Sequence, residues 1–138
     1  MFVKVARPPL FAEIAAAFNL AGRRGIIYAW GDCIYAPDGG PFSAELRAHE
    51  AVHGQRQGTD VEGWWRRYIA DPTFRRDEEI PAHIAEYQEF CRNNRNGPVR
   101  NSRRLYLHHV ASRLASPLYG RLIKYDDARK LLKEAVQI

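Results

Sequence analysis

Apolar residues near the start of the chain recur at helical spacing. The positions that share this spacing are Leu10, Phe11, Ile14, Phe18 and Ala21. Residues three or four positions apart lie on the same face of an α-helix, so this face can pack against a core. The pattern predicts a first helix over residues 10–21.

A β-rich stretch follows the first helix. Residues 25–30 and 33–36 contain β-branched and aromatic side chains, and they flank the dipeptide Gly31-Asp32. This arrangement is typical of a β-hairpin with a tight turn. The proline- and glycine-containing segment 37–40 then ends the second strand.

Capping signals predict helices in the rest of the chain. Ser43 is a favourable N-cap and Gly58 a favourable stop, which predicts a helix over residues 44–57. The periodicity of the remaining segments predicts four more helices, over residues 61–70, 77–93, 103–115 and 127–136.

Prolines and aspartates are expected at the ends of these helices. Asp71-Pro72 should close the helix over residues 61–70. Pro81 should fall within or just after the first turn of the next helix, where the missing N–H costs least. Asp126 is the expected cap of the last helix.

The composition is that of one folded domain. The chain has 138 residues, of which 46% are hydrophobic, enough to bury a core. It contains no internal repeat and no long linker. We therefore expect residues 1–138 to form a single helix-rich α+β domain with a small β-hairpin or sheet.

Neither a membrane span nor a signal peptide is expected. A membrane span needs roughly 18–20 apolar residues, and no segment approaches that length. The apolar stretch at residues 10–21 is interrupted by Glu13 and Asn19, unlike the core of a signal peptide. We therefore expect a cytoplasmic protein.

Cys33 and Cys91 are far apart and belong to no CxxC pattern, which predicts reduced thiols.

The chain is basic, with a net charge of +5 from 21 basic and 16 acidic residues. Five arginines lie between Arg92 and Arg104, among asparagines and a Gly-Pro pair. Such a run can bind phosphate, but it more often forms a solvated loop, which is our expectation. No helix-turn-helix, zinc-finger or RNA-binding signature is present, so nucleic acid is not an expected partner.

One pentapeptide has the pattern of a metal-binding motif. Residues 49–53 read His-Glu-Ala-Val-His, the H-E-x-x-H pattern, on a predicted helix. His49 and His53 are one turn apart, so both imidazoles can bind one cation, and imidazole is a favoured ligand of Zn²⁺. Glu50 projects beside the metal, where a general base would be needed.

A catalytic zinc ion needs a third protein ligand. Arg56 and Thr59 occupy the positions where an extended H-E-x-x-H-x-x-G-x-x-H motif has its glycine and third histidine, so that motif is absent. A glutamate from the helix over residues 77–93 is the remaining common choice. We select Glu79, with Glu78 and Glu86 as alternatives.

Other polar residues are candidates for supporting roles. His83, one turn after Glu79, could support a ligand or donate a proton to the oxyanion. The full set of candidate oxyanion donors is Tyr68, His83, Tyr87, His108 and His109. The aromatic residues Trp64, Trp65 and Tyr68 recur at helical spacing and are expected in the core.

HEAVH followed by EIPAHIAEY makes the middle of the chain resemble the gluzincin metallopeptidases. The likeness is greatest to their small single-domain members, including those encoded by phages and prophages. In that group the third ligand is a glutamate followed by a small residue, a pattern that Glu79 and Ala82 match. The resemblance implies a short sheet over the metal-binding helix. It also implies that a peptide pairs with the edge of the hairpin over residues 25–36.

The sequence thus predicts a zinc metallopeptidase with one zinc ion per chain. Glu50 would activate the attacking water, and the substrate would be a peptide or protein. A peptidoglycan cross-link is also an amide and remains an alternative substrate. The alternative function is a catalytically inert zinc-binding protein with a structural or phage-associated role. The oligomeric state is left open.

Overall fold

The fold consists mainly of helices and includes one small sheet. The computed structural model describes residues 1–20, 22–95 and 100–136, with the backbone alone at 100 and 101. Its elements are β1 (Phe2–Lys4), α1 (Phe11–Phe18), β2 (Tyr28–Trp30), β3 (Cys33–Tyr35), α2 (Ala44–Gln57), α3 (Val61–Ala70), α4 (Pro72–Asn93), α5 (Arg100–Leu114), a 3₁₀ turn (Pro117–Tyr119) and α6 (Tyr125–Ala135). This composition is compatible with the expected helix-rich α+β class.

The predicted hairpin forms the antiparallel pair β2–β3, with Trp30 opposite Cys33 and Gly31 at φ 61° in the turn. Strand β1 was not predicted. It pairs in parallel with β3 and gives the strand order β1-β3-β2. All three β1 residues are exposed. The strand therefore lacks the alternation of buried and exposed positions from which a strand can be predicted.

Several predicted helices have different ends in the structure. Helix α1 stops at Phe18 because Asn19 adopts a left-handed conformation (φ 53°) and its N–H bonds to Ala15. Position 21, the predicted end, lies outside the described residues. Helix α6 begins earlier than expected, so Asp126 is not its cap but lies in its first turn, where a carboxylate still favours the helix dipole.

The largest difference concerns α4, which begins at Pro72 instead of residue 77. Asp71 ends α3, but its carboxylate also accepts hydrogen bonds from the N–H groups of Thr73 and Phe74 and so caps α4. Pro72 then occupies the favourable first position. The expectation for Pro81 was therefore wrong, because this residue lies in the helix interior.

Two apolar clusters hold the elements together. One lies between α4, α5 and α6 and contains Tyr87, Val110 and Leu132. The other joins α1, β2 and α3 and contains the aromatic residues that were expected to be buried, Trp64, Trp65 and Tyr68. Helix α2 packs along α4 on one side and against β2 on the other. The H-E-x-x-H residues therefore lie between the two clusters.

The remaining expectations concern the cysteines, the arginine run and membrane spans. Cys33 and Cys91 are both free and buried. Arg103 and Arg104 are exposed but belong to α5 and not to a loop. Residues 96–99, in the middle of the arginine run, lie outside the described residues. None of the described helices combines the length and the apolar character that crossing a membrane requires.

Candidate metal centre

Helix α2 buries its three motif residues. His49, Glu50 and His53 are only 4%, 7% and 5% exposed. The Ser43 hydroxyl accepts a hydrogen bond from Leu46 N–H and so fixes the start of the helix. Since the helix begins and ends as the sequence predicts, the i, i+4 spacing of the two histidines places both imidazoles toward the same neighbour.

That neighbour is Glu79 of α4, which is 2% exposed. Its Oε1 atom lies 3.4 Å from His49 Nε2 and 3.2 Å from His53 Nε2. Its Oε2 atom accepts a short hydrogen bond from the Tyr68 hydroxyl. The tyrosine therefore fixes the carboxylate so that one oxygen faces both histidines.

Glu86 holds His49 from the opposite side. His49 Nδ1 lies 2.9 Å from Glu86 Oε1. Because a carboxylate only accepts, Nδ1 carries the proton, and Nε2 is the nitrogen that faces Glu79. Glu86 Oε2 in turn accepts hydrogen bonds from Tyr106 and Arg113. Both oxygens of Glu86, an alternative third ligand in the sequence analysis, thus already have partners, and Glu86 orients His49.

Glu78, the other alternative ligand, is held by Arg56 and Trp64. Its Oε2 atom accepts two hydrogen bonds from Arg56, at 2.9 and 2.6 Å. Its Oε1 atom accepts a hydrogen bond of 2.6 Å from Trp64 Nε1. Glu78 therefore joins α2, α3 and α4 in a structural contact. Arg56, which interrupts the extended motif, is part of that contact.

The electrostatics of the centre reflect its burial. Burial alone lowers the pKa of His49, but hydrogen bonds with Glu79 and Glu86 outweigh it and raise the pKa to about 10. Burial raises the pKa of Glu79, yet the charge of His53 and the bond with His49 hold it well below its usual value. Burial also raises the pKa of Glu50, against the opposing effect of the two histidines.

His83 is fully buried and lies within this group. Its Nδ1 atom is 2.7 Å from the Glu79 carbonyl oxygen, which can only accept, so Nδ1 carries a proton. Burial, followed by the charge of His49, lowers the pKa of His83 to about 3, which keeps the ring neutral. The Nε2 atom is then an unprotonated lone pair, and it has no hydrogen-bond partner. In this state His83 has no free proton to donate to an oxyanion.

Three other candidate oxyanion donors lie outside the centre. Tyr87 belongs to the cluster between α4, α5 and α6. His108 is exposed and its Nδ1 atom pairs with the Tyr125 hydroxyl at 2.7 Å. His109 is also exposed and packs against Tyr106. None of the three lines the pocket beside the motif histidines.

Tyr119 lines that pocket and was not among the candidates. Its ring meets the His83 ring edge-on at 5.5 Å between centroids. Burial, then the charge of Glu79, hold the pKa of Tyr119 well above its usual value, so its hydroxyl keeps its proton. A 3₁₀ turn of three residues carries it. Such a short element has no periodicity, and only its position after Ser116-Pro117 could have drawn attention to it.

The described side chains could hold a metal ion. Single donor atoms of His49, Glu79 and His83 all lie within 4.8 Å of one another. His53 contacts the same Glu79 oxygen.

Comparison with known protein families, with curated proteins and with solved structures finds no match. The functional argument therefore rests on the geometry of this centre.

Proposed function

We propose that the chain is a zinc-dependent hydrolase that cleaves peptide bonds, with His49, His53 and Glu79 as ligands. The spacing of the donor atoms carries this proposal, since Glu79 Oε1 lies 3.4 and 3.2 Å from the two Nε2 atoms. Two ligands bound at about 2.0–2.1 Å to a tetrahedral zinc ion are about 3.3–3.4 Å apart. The nitrogen of each histidine thus lies about as far from the Glu79 oxygen as two ligands of one zinc ion do.

The donor set is that of a catalytic site, because two imidazoles and one carboxylate leave the fourth tetrahedral position open. Zinc bound there would lower the pKa of a water molecule and polarise the carbonyl group of the bond to be cleaved. Glu86 supports the set from outside, because it fixes the His49 ring through Nδ1. Tyr68 does the same for Glu79 through Oε2.

Glu50 is the general base in this proposal. It lies next to His49 on α2, lines the same pocket as both motif histidines, and is buried. Burial raises its pKa, which makes the carboxylate a better proton acceptor. Glu50 accepts a proton from the attacking water and returns it to the departing nitrogen.

Tyr119 is the proposed donor to the oxyanion. A hydroxyl that keeps its proton can donate a hydrogen bond where negative charge develops on the former carbonyl oxygen. Tyr119 lines the pocket together with Glu50 and His53. The other tyrosine at the centre, Tyr68, already donates its proton to Glu79.

A second candidate function is a metal-binding protein without turnover. The observation that favours it is the unpartnered Nε2 atom of His83, since a buried acceptor without a donor is unfavourable by about 1–3 kcal/mol. If His83 turned toward the ion, His49, Glu79 and His83 would bind it. With His53 as well, the coordination would be closed to water and substrate.

Metal content distinguishes the two functions. Tag-free protein purified without chelator would be analysed by mass spectrometry as wild type, His53→Ala, Glu79→Ala and His83→Ala, with the exposed His108→Ala as the matched control. The hydrolase predicts one zinc ion per chain, lost in His53→Ala and Glu79→Ala and kept in His83→Ala. Loss in His83→Ala would favour the inert site. Absence of metal from the wild type, even after zinc addition, would refute both.

A further inference from the structure

An apolar pocket adjoins the candidate metal centre. It has a volume of about 90 Å³, and His49, Glu50, His53 and Glu79 form part of its wall. Much of the remaining wall is aliphatic or aromatic, contributed by Ile14, Phe18, Leu20, Ile26, Ile27 and Leu118. A substrate carbonyl placed at the centre would therefore have this pocket beside it.

The pocket offers no partner for a charged substrate group away from the centre. Glu50 and Glu79 are the only acidic residues among the described residues that line it, and no lysine or arginine does. A charged group that entered the aliphatic part would lose its water without gaining an ion pair, which is strongly unfavourable. An apolar group would gain free energy from the same desolvation.

Buried Arg75 fixes one side of the pocket. It donates hydrogen bonds to the backbone carbonyl groups of Tyr68, Ile69 and Tyr119, at 2.9, 3.1 and 2.8 Å. Its guanidinium group also lies 5.0 Å from the centre of the Phe18 ring. This one side chain therefore ties the end of α3 to the 3₁₀ turn and to α1. A wall held in this way can select the shape of a ligand.

Strand β2, at another side of the pocket, limits how a peptide substrate can pair with the sheet. The Ala29 carbonyl oxygen of β2 accepts hydrogen bonds from Gln57 Nε2 and Trp65 Nε1, at 2.9 and 3.0 Å. A carbonyl oxygen has two lone pairs, so neither is left for a substrate strand. Strand pairing along the β2 edge is therefore blocked at Ala29. The pocket becomes the main feature that can position a substrate next to the centre.

We propose that this pocket binds a large apolar side chain beside the scissile bond, so that the substrate is a polypeptide with a branched aliphatic or aromatic residue there. The inference rests on the proposed hydrolase function and specifies its substrate. A cell-wall cross-link fits poorly, because methyl, carboxylate and amino groups flank its amide bond. Leucine or phenylalanine should raise kcat/KM roughly 10–100-fold over alanine.

Matched peptides test the preference. They carry Leu, Phe, Ala, Asp or Lys on either side of one amide bond, and kcat/KM is measured for each. Leu118→Arg places a cation in the pocket wall, and it should weaken cleavage of the Leu peptide and improve cleavage of the Asp peptide. Leu105→Arg, at an exposed position of α5, should leave the ratio unchanged. Equal cleavage of all peptides by the wild type would overturn the inference.

A binding measurement separates this inference from the proposed function. Acetohydroxamate and a hydroxamate with a benzyl group are titrated into the zinc-loaded protein, and Trp fluorescence reports binding. Tighter binding of the benzyl compound, reduced by Leu118→Arg and not by Leu105→Arg, supports the pocket. Equal binding of both compounds overturns the pocket and leaves the zinc site intact. Binding of neither refutes the zinc site, and the inference with it.

Discussion

Replacement of Glu86 by glutamine tests how the centre is held. Glu86 is 2% exposed, and its two oxygens accept from His49 on one side and from Tyr106 and Arg113 on the other. Glutamine keeps the shape of the side chain but turns one acceptor into a donor. Its amide nitrogen must then face a donor, either the Nδ1–H of His49 or the pair formed by Tyr106 and Arg113.

The loss of stability expected for Glu86→Gln follows from the burial of the ion pair between Glu86 and Arg113. Removal of one partner of a buried ion pair costs about 3–5 kcal/mol. The Arg113 side chain is 33% exposed, so water compensates part of the loss and we expect about 2–3 kcal/mol. Zinc affinity should fall about 10–100-fold, because His49 loses the carboxylate that orients it.

Two measurements check these values. Urea unfolding in the presence of chelator gives the stability of the metal-free protein, and competition with a chromophoric chelator gives the zinc affinity. Glu62→Gln is the control, because Glu62 forms an exposed pair with Arg66 and its loss should change stability by less than about 0.5 kcal/mol. If Glu86→Gln matched this control in both stability and affinity, Glu86 would not orient His49.

Three further predictions follow from the centre and from α4. Glu50→Gln should keep its zinc and lower kcat on a cleavable peptide by at least about 100-fold, and retained activity would exclude Glu50 as the base. Because the pKa of His49 is about 10 without metal, zinc binding near pH 7 should release about one proton and should strengthen as pH rises; calorimetry in buffers of different ionisation enthalpy measures this release. Pro81→Ala should stabilise the protein by about 1–3 kcal/mol in urea unfolding, since it restores an N–H inside α4, and a loss of stability would show that α4 depends on the proline.

Local signals in the sequence were enough for the helix that carries the motif. Ser43 and Gly58 delimit α2 as predicted, because capping depends only on residues within the first and last turns. The same local reasoning correctly ended α3 at Asp71-Pro72, but it missed that Asp71 is also the N-cap of α4. Where two helices follow each other without a loop, one residue is both the stop signal of the first and the start signal of the second. Asp71-Pro72 was interpreted only as a stop signal, and the start of α4 was therefore missed.

The surroundings of the centre depend on distant residues and could not be predicted in this way. Arg113 and Tyr106 reach Glu86 from α5, which neither spacing nor periodicity relates to α4. Tyr119 reaches the pocket from a 3₁₀ turn, and Arg75 holds it there through the backbone. Such contacts arise only after the helices have packed, whereas His49 and His53 are brought together by a single helical turn.

The charges around the centre lead to a prediction about the ion that it could hold. Glu78 is balanced by Arg56, which leaves the three buried carboxylates of Glu50, Glu79 and Glu86 with Arg113 as their only guanidinium partner in the described part of the chain. A dication together with Arg113 would balance all three when His49 is neutral.

This balance predicts that the fold is stabilised by divalent metal ions. If zinc is present at about 1,000 times its dissociation constant, it adds about 4 kcal/mol, and chelator should lower the melting temperature by roughly 10 °C. Potassium should not restore the stability, because a single positive charge leaves one carboxylate unbalanced. His53→Ala should show little change with zinc or chelator. A wild-type melting temperature that neither chelator nor zinc alters would mean that protons, including the one that makes His49 a cation, balance the carboxylates, and that the centre is not built for a metal.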